Sequence, residues 1–365
     1  MVPADHQQSL RDMLTKQRTI DYAQDTLLLV ARAREFERRG APTEALVAYD
    51  MAASLITGLP PGAFHADLYR LKGTLLRNVG ETRRAECFLK RSLDISHYVL
   101  YAAGVAHAQN ALAGIHLLRG DMAAARQLFG DASLSANAAG DQRLYALVEQ
   151  SLGAIAQIQG DLEGARVRYH MSLRALRATG DEEGMSWALH RIGVHHIETG
   201  RYDEASEAFR QADEIVRARG DRFMEARLAL ARTSLRLDAG KLDEAELEHA
   251  RAVAMTERRH ERHLRTETLL LSARLRHARE ELEQAAEALD EARTLAEESE
   301  DALAIARTLA LLGDVWLARG ERERAIELWR ESVTGFTRIG ATREATELQQ
   351  RLESRASGHG SLRSS

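Results

Sequence analysis

The 365-residue sequence predicts an all-α solenoid of eight helix-turn-helix repeats, and three observations lead there. A glycine recurs at a stride of 40 residues, at Gly40, Gly80, Gly120, Gly160, Gly200, Gly240 and Gly320. Five residues past each frame position stands an alanine: Ala45, Ala85, Ala125, Ala165, Ala205, Ala245, Ala285 and Ala325. All 4 prolines fall before residue 62, so beyond that point no helix is broken for want of an amide donor. A period that fills the chain means that each repeat buries its apolar face against its neighbours alone. One elongated array is therefore expected, rather than the two or three globular domains that length alone suggests.

Residues 1–20 read as a polar helical cap, with Leu10, Met13, Leu14 and Ile20 spaced to cover one end of the array. The repeats follow in frames 21–60, 61–100, 101–140, 141–180, 181–220, 221–260, 261–300 and 301–340. In the first, a helix closes on Gly40, a second runs from Glu44 to about Thr57, and Gly58, Leu59, Pro60, Pro61 and Gly62 cannot continue it. In later repeats the second helix also ends on glycine, at Gly140, Gly180, Gly220 and Gly340. Asp141, Asp181 and Asp221 then start the next helix by accepting its free amides. Repeat 7 is irregular, since its frame position is Glu280. Either the helix runs on there, or a non-glycine residue takes a left-handed conformation at roughly 1 to 2 kcal/mol. A bend is expected near 256–265. Residues 341–355 read as a C-terminal capping helix, apolar on one side through Ala345, Leu348 and Leu352, and 356–365 as a disordered tail.

Side-chain size follows the same frame. Seven residues before it the chain is small or polar (Ala33, Gly73, Ala113, Gly153, Gly193, Thr233, Ala273, Gly313), and nine after it mostly large (Tyr49, Leu89, Phe129, Tyr169, Phe209, His249, Leu289, Trp329). Twelve after it small residues return, from Ala52 and Ser92 to Ser332. Large residues over small ones at fixed offsets are ridges meeting grooves where two helices cross.

The turns Gly160 to Ala165 (GDLEGA), Gly200 to Ala205 (GRYDEA) and Gly240 to Ala245 (GKLDEA) resemble those of the tetratricopeptide repeat family across roughly residues 21–340. The usual unit of that family has 34 residues and ends near a proline; here the stride is longer, with Gly-Asp junctions, as in sensor regions of bacterial transcription activators, peptide-pheromone receptors and kinesin light chains. The resemblance implies a right-handed superhelix whose first helices line a concave groove that holds a partner.

Composition excludes several functions. A net charge of −5 argues against nucleic-acid binding through a general cationic field, and no apolar run is long enough to serve as a signal peptide or a bilayer span. A cytoplasmic protein without cofactors is expected. Cys87, the single cysteine, precludes an internal disulfide and reads as a buried structural thiol. No GxSxG or phosphate-binding GxxxxGK[ST] motif occurs, and His260 and His263 lack the HExxH spacing of a metal site. His190, His195 and His196 share a helix, with His196 at a packing offset that suits a core histidine. Runs of opposite charge, basic over 65–91 and acidic over 281–301, read first as solvated faces and second as a means of end-to-end or charged-face self-association.

Carried onto this chain, the family's groove falls on residues 13, 10, 6 and 3 before each frame position. The lane ten before supplies hydrogen-bonding side chains at Arg70, Asn110, Gln150 and His190, suited to the carbonyls of an extended peptide. Neighbouring lanes add Arg77, His107, Gln157, Trp187, Arg227, Arg274, His277 and Arg307, with Trp187 as an aromatic anchor or a core residue. The expected function is a non-enzymatic scaffold that clamps a protein or peptide; the alternative is a ligand-responsive sensor acting on a separate effector.

Overall fold

The structure, a computed structural model, describes residues 24–256 and 262–357. The helices are α1 (residues 24–38), α2 (Pro42–Leu55), α3 (Ala63–Asn78), α4 (Thr82–Tyr98), α5 (Ala102–Leu118), α6 (Met122–Ala138), α7 (Gln142–Ile158), α8 (Leu162–Thr179) and α9 (Glu182–Glu198). They continue as α10 (Tyr202–Arg219), α11 (Arg222–Asp238), α12 (Leu242–Thr256), α13 (Arg262–Ala278), α14 (Leu282–Glu298), α15 (Ala302–Ala318), α16 (Arg322–Ile339) and α17 (Thr342–Ser357). The described residues contain no strand. The proposed cap over 1–20 and the tail beyond Ser357 lie outside the described residues, as does the middle of the expected bend, 257–261.

The helices form when each turn signal does what its chemistry allows. At Gly140 the backbone is left-handed (φ +71°), the Asp141 amide donates to the Ala136 carbonyl at 2.9 Å, and the Asp141 carboxylate accepts from the Leu144 amide at 2.9 Å. One junction thus closes α6 and opens α7. Asp121, Asp161, Asp181, Asp221 and Asp301 cap their helices in the same way. Glu280 settles the question left open for repeat 7: it takes the left-handed conformation at φ +64°, as do Leu100 and Glu300 at the ends of second helices.

Packing follows the frame offsets. The eight alanines five past the frame and the eight small residues twelve past it are all 0% exposed. A Cβ added to Gly153 would lie 2.7 Å from the Tyr169 ring, and one on Gly193 or Gly313 would overlap Phe209 or Trp329. Serine at the small positions is satisfied internally: Ser92 and Ser332 each donate to a backbone carbonyl at 2.7 Å. Where repeat 6 has His249 in the large lane, the ring is half-buried and sits 3.2 Å from the Thr268 carbonyl.

Backbone packing groups the chain into two compact units, Met1–Ala108 and Gln109–Ser365. In the N-terminal unit the core centres on Tyr49, Ile56, Leu68 and Leu75. In the C-terminal unit a principal core runs from α7 through α11 and includes Tyr169, Leu189, Phe209 and Met224.

Several expectations are corrected. Cys87 is exposed, because it lies two residues past the buried Ala85 and so turns to the outer face of α4. His195 rather than His196 is the core histidine: it is buried in a lane that repeats 2 to 4 and 6 to 8 fill with Leu75, Ile115, Ile155, Leu235, Leu275 and Val315, while His196 is half-buried. The charged runs are largely neutralised within the chain. Lys72 is buried against Asp50 and the Phe88 ring, and Glu283, Glu297 and Glu298 pair with Arg319, Arg293 and Arg262.

Candidate functional site

The C-terminal unit closes on itself. Turns at the ends of α5 and α7 meet segments some 180 residues later in the chain. Arg119 pairs with Glu300 at 2.7 Å, Thr342 Oγ1 donates to the Gln159 carbonyl at 2.7 Å, and Arg343 lies 3.9 Å from the Glu198 carboxylate. Gly120 packs so tightly on Ile339 that a Cβ there would overlap its methyl group. Glu300 stands where other repeats end on glycine, and its strained backbone (φ +56°) carries the side chain that reaches Arg119.

Inside this closure lies a cavity of about 630 Å³. First helices α7, α9, α13 and α15 supply most of its wall, Tyr169 on α8 adds to it, and α17 supplies the rest. The wall is arginine-rich: Arg191, Arg274, Arg307, Arg343 and Arg351. Four of these have acidic partners. Arg274 pairs with Asp238 at 2.6 Å, Arg307 with Glu344 at 3.3 Å, Arg343 with Glu347 at 2.8 Å, and Arg351 with Asp314. The fifth, Arg191, has neither an ion pair nor a side-chain hydrogen bond among the described residues. Between them runs a polar chain in which Tyr169 Oη donates to Gln157 Oε1 at 3.0 Å and Gln157 Nε2 donates to Glu198 Oε1 at 2.7 Å. Burial pushes the Glu198 carboxyl above its ordinary value against the Gln157 hydrogen bond, and pushes the Tyr169 phenol up to about 12. Ala154, Ile158, Val194, Leu303 and Leu311 add apolar wall.

Of the residues expected from sequence, Gln157, Arg274 and Arg307 line this cavity. His277 lies in a smaller adjoining pocket with Arg274 and Asp314. Gln150 and His190 are placed differently from expectation. Gln150 is buried and donates to Ser172 at 3.1 Å; His190 is buried against Trp187 and Phe209 with both ring nitrogens unpartnered. The reason is rotational: in these repeats position −10 turns toward the neighbouring helix, and the cavity receives −13, −9, −6 and −3 or −2 instead. Trp187 is half-buried, 5.7 Å from the Phe223 ring, with Arg227 5.2 Å from its face; Arg227 also pairs with Glu267 at 3.7 Å. Asn110 is half-buried on α5. Arg70, Arg77 and His107 lie in the N-terminal unit, where Arg70 pairs with Asp67 at 3.2 Å and burial lowers the pKa of Arg77.

Sequence reasoning missed Arg191 and the α17 residues Arg343, Glu344, Glu347 and Arg351. A signal for Arg191 was present. Nine before the frame position the chain reads Ala31, Leu71, Ala111, Ser151, Arg191, Ala231, Leu271 and Leu311, so one charge interrupts a lane of small and apolar residues. For α17 there was none, because a terminal helix read alone is a cap. Among the described residues no group of three or more His, Cys, Asp or Glu side chains could hold a metal ion, and no helix is long and apolar enough to cross a membrane.

Fold and cavity together define a helix-turn-helix α-solenoid whose C-terminal unit encloses a polar chamber. Residues 142–218, which form α7 to α10, match the tetratricopeptide repeat family. The other repeats share the frame of that matched stretch. No curated protein matches it in sequence. Among solved structures, it is similar to the Rap conjugation gene regulator of plasmid pLS20 in complex with the Phr* peptide (TM-score 0.62, 14% identity, covering 76% of this chain and 77% of that one). It is also similar to a Rap protein complexed with competence and sporulation factor (0.58, 12%, 91% and 97%). Aspartyl phosphate phosphatase F from Bacillus subtilis is a third such structure (0.55, 14%, 78% and 74%). At these identities the likeness is one of fold.

Proposed function

We propose that this protein is a non-enzymatic binding module that holds a short segment of a protein or peptide in the cavity of its C-terminal unit. The observation that carries the reading is the chamber itself: donors and apolar surface converge from four first helices and α17, the mixture that fixes an extended peptide. Structures of similar fold hold a Phr* peptide and competence and sporulation factor, which supports the same use of the fold here. Binding rather than catalysis is proposed because most of the cavity's charged groups are already committed to ion pairs in the wall. The test is to fill the chamber. Val194→Trp should abolish capture of partners by affinity purification while Arg210→Glu, on an exposed face, leaves capture intact; equal capture by both variants overturns the reading.

A second reading, a sensor acting on an effector, is favoured by one observation: the unit is closed by a few contacts between segments far apart in sequence. A ligand in the chamber touches the same α17 that closes it. Small-angle scattering with and without a captured partner distinguishes the two, since a sensor changes its radius of gyration and a scaffold does not.

A further inference from the structure

We infer that the ligand of this cavity carries a carboxylate and that Arg191 is the group that receives it. The inference rests on the cavity-binding reading above and adds the chemistry of the occupant. Position −9 carries alanine, leucine or serine in the other seven repeats, and it is buried in repeats 3, 6 and 7. Leu271 and Ala231 are buried there at 6% and 4% exposure. A guanidinium in such a lane gives up hydration, and the fold offers it nothing in return: the other four arginines of the chamber have carboxylate partners, and Arg191 has none among the described residues. A residue that breaks a local rule without a compensating contact marks a site kept for something outside the fold. Arg191 is half-buried and its side chain lines the chamber, so its planar array of donors stays open to an incoming group.

The chemistry of the occupant follows from the wall. A guanidinium binds a carboxylate through two parallel, charge-assisted hydrogen bonds. Val194, on the same helix as Arg191, and Leu303 and Leu311 on α15 give apolar surface within the same chamber. A bare inorganic anion would leave that surface and most of the 630 Å³ unused. The occupant is accordingly a peptide segment with an aspartate or glutamate set among apolar side chains. Glu198, held by Gln157 and facing the same space, works against a second acidic residue, so a single carboxylate is expected rather than an acidic run.

The test uses the full chain and an octapeptide positional-scanning array at physiological salt, read with wild type and with Arg191→Leu. Leucine already occupies this lane in three repeats, so the variant should fold, which a thermal melt checks. Wild type should enrich aspartate and glutamate at one position by about tenfold over their amides, and Arg191→Leu should reduce that preference to less than twofold. Enrichment of peptides with no acidic preference, or an acidic preference that survives in Arg191→Leu, overturns the inference and leaves the peptide-binding reading standing. Absence of any enrichment removes both. Competition of the acidic peptides by inorganic phosphate at millimolar concentration, with loss of the peptide preference, would assign Arg191 to a free anion and also overturn it.

Discussion

Thr342 Oγ1 donates a 2.7 Å hydrogen bond to the carbonyl of Gln159, 183 residues earlier in the chain. That bond belongs to a seam with Gly120 against Ile339 and Arg119 against Glu300, and the seam makes the groove of the C-terminal unit a chamber. Gly120 and Gly240 have similar left-handed backbones, φ +78° and +72°, but Gly240 has open space where its Cβ would go. Gly240→Ala should cost only the backbone term of about 1 to 2 kcal/mol. Gly120→Ala should cost a further 1 to 3 kcal/mol, roughly, from overlap with Ile339, and should raise the radius of gyration. Urea titration and small-angle scattering of the two variants check this; equal behaviour means the seam does not hold in solution.

Gly193 lies under the Phe209 ring, and an added methyl group would overlap it. Gly193→Ala should therefore destabilise the protein by about 1 to 3 kcal/mol. Repeat 7 uses the pair Ala273 and Leu289, both buried, at the same offsets. Adding Phe209→Leu to Gly193→Ala should recover part of the loss, a non-additivity that a double-mutant cycle measures.

Gln150 was expected to face a ligand, in which case its removal would leave stability unchanged. Its amide is instead buried and bonded to Ser172, which is 0% exposed. Gln150→Ala should lower stability by about 1 to 3 kcal/mol, since it leaves a buried hydroxyl without its donor. A melting temperature equal to that of wild type would return Gln150 to the groove.

His190 and His195 give the fold a pH dependence of known sign. Burial holds His190 well below its ordinary value and brings His195 down to about 4, with His196 and Arg201 beside His195 acting in the same direction. The unfolded chain therefore binds these protons more readily than the folded one. Stability contributed by the neutral rings is fully present above about pH 6.5 and is lost as the pH falls from there toward about 4. Chemical denaturation between pH 7 and pH 5 should show the decline, and His195→Leu, which matches Leu235 and Leu275 in the same lane, should flatten it.

The repeat itself was legible in the residues. Glycine at the frame, aspartate after the junction, alanine five on and large residues over small ones each act within about twenty residues, so local chemistry determines helix ends, pairing and the core of every repeat. Only the tertiary structure decided where α17 meets α7 and α9. That meeting depends on the angle between successive repeats, a quantity that accumulates over five units and that no pair such as Thr342 and Gln159 reveals alone. The same accumulation set which lane faces inward. A rotation of one residue, about 100° around a helix, separates the buried Gln150 and His190 from the half-buried Arg191 on the cavity wall. Sequence period specifies contacts between neighbours, whereas the chamber is made by elements far apart in the chain, and its chemistry became readable once they were brought together.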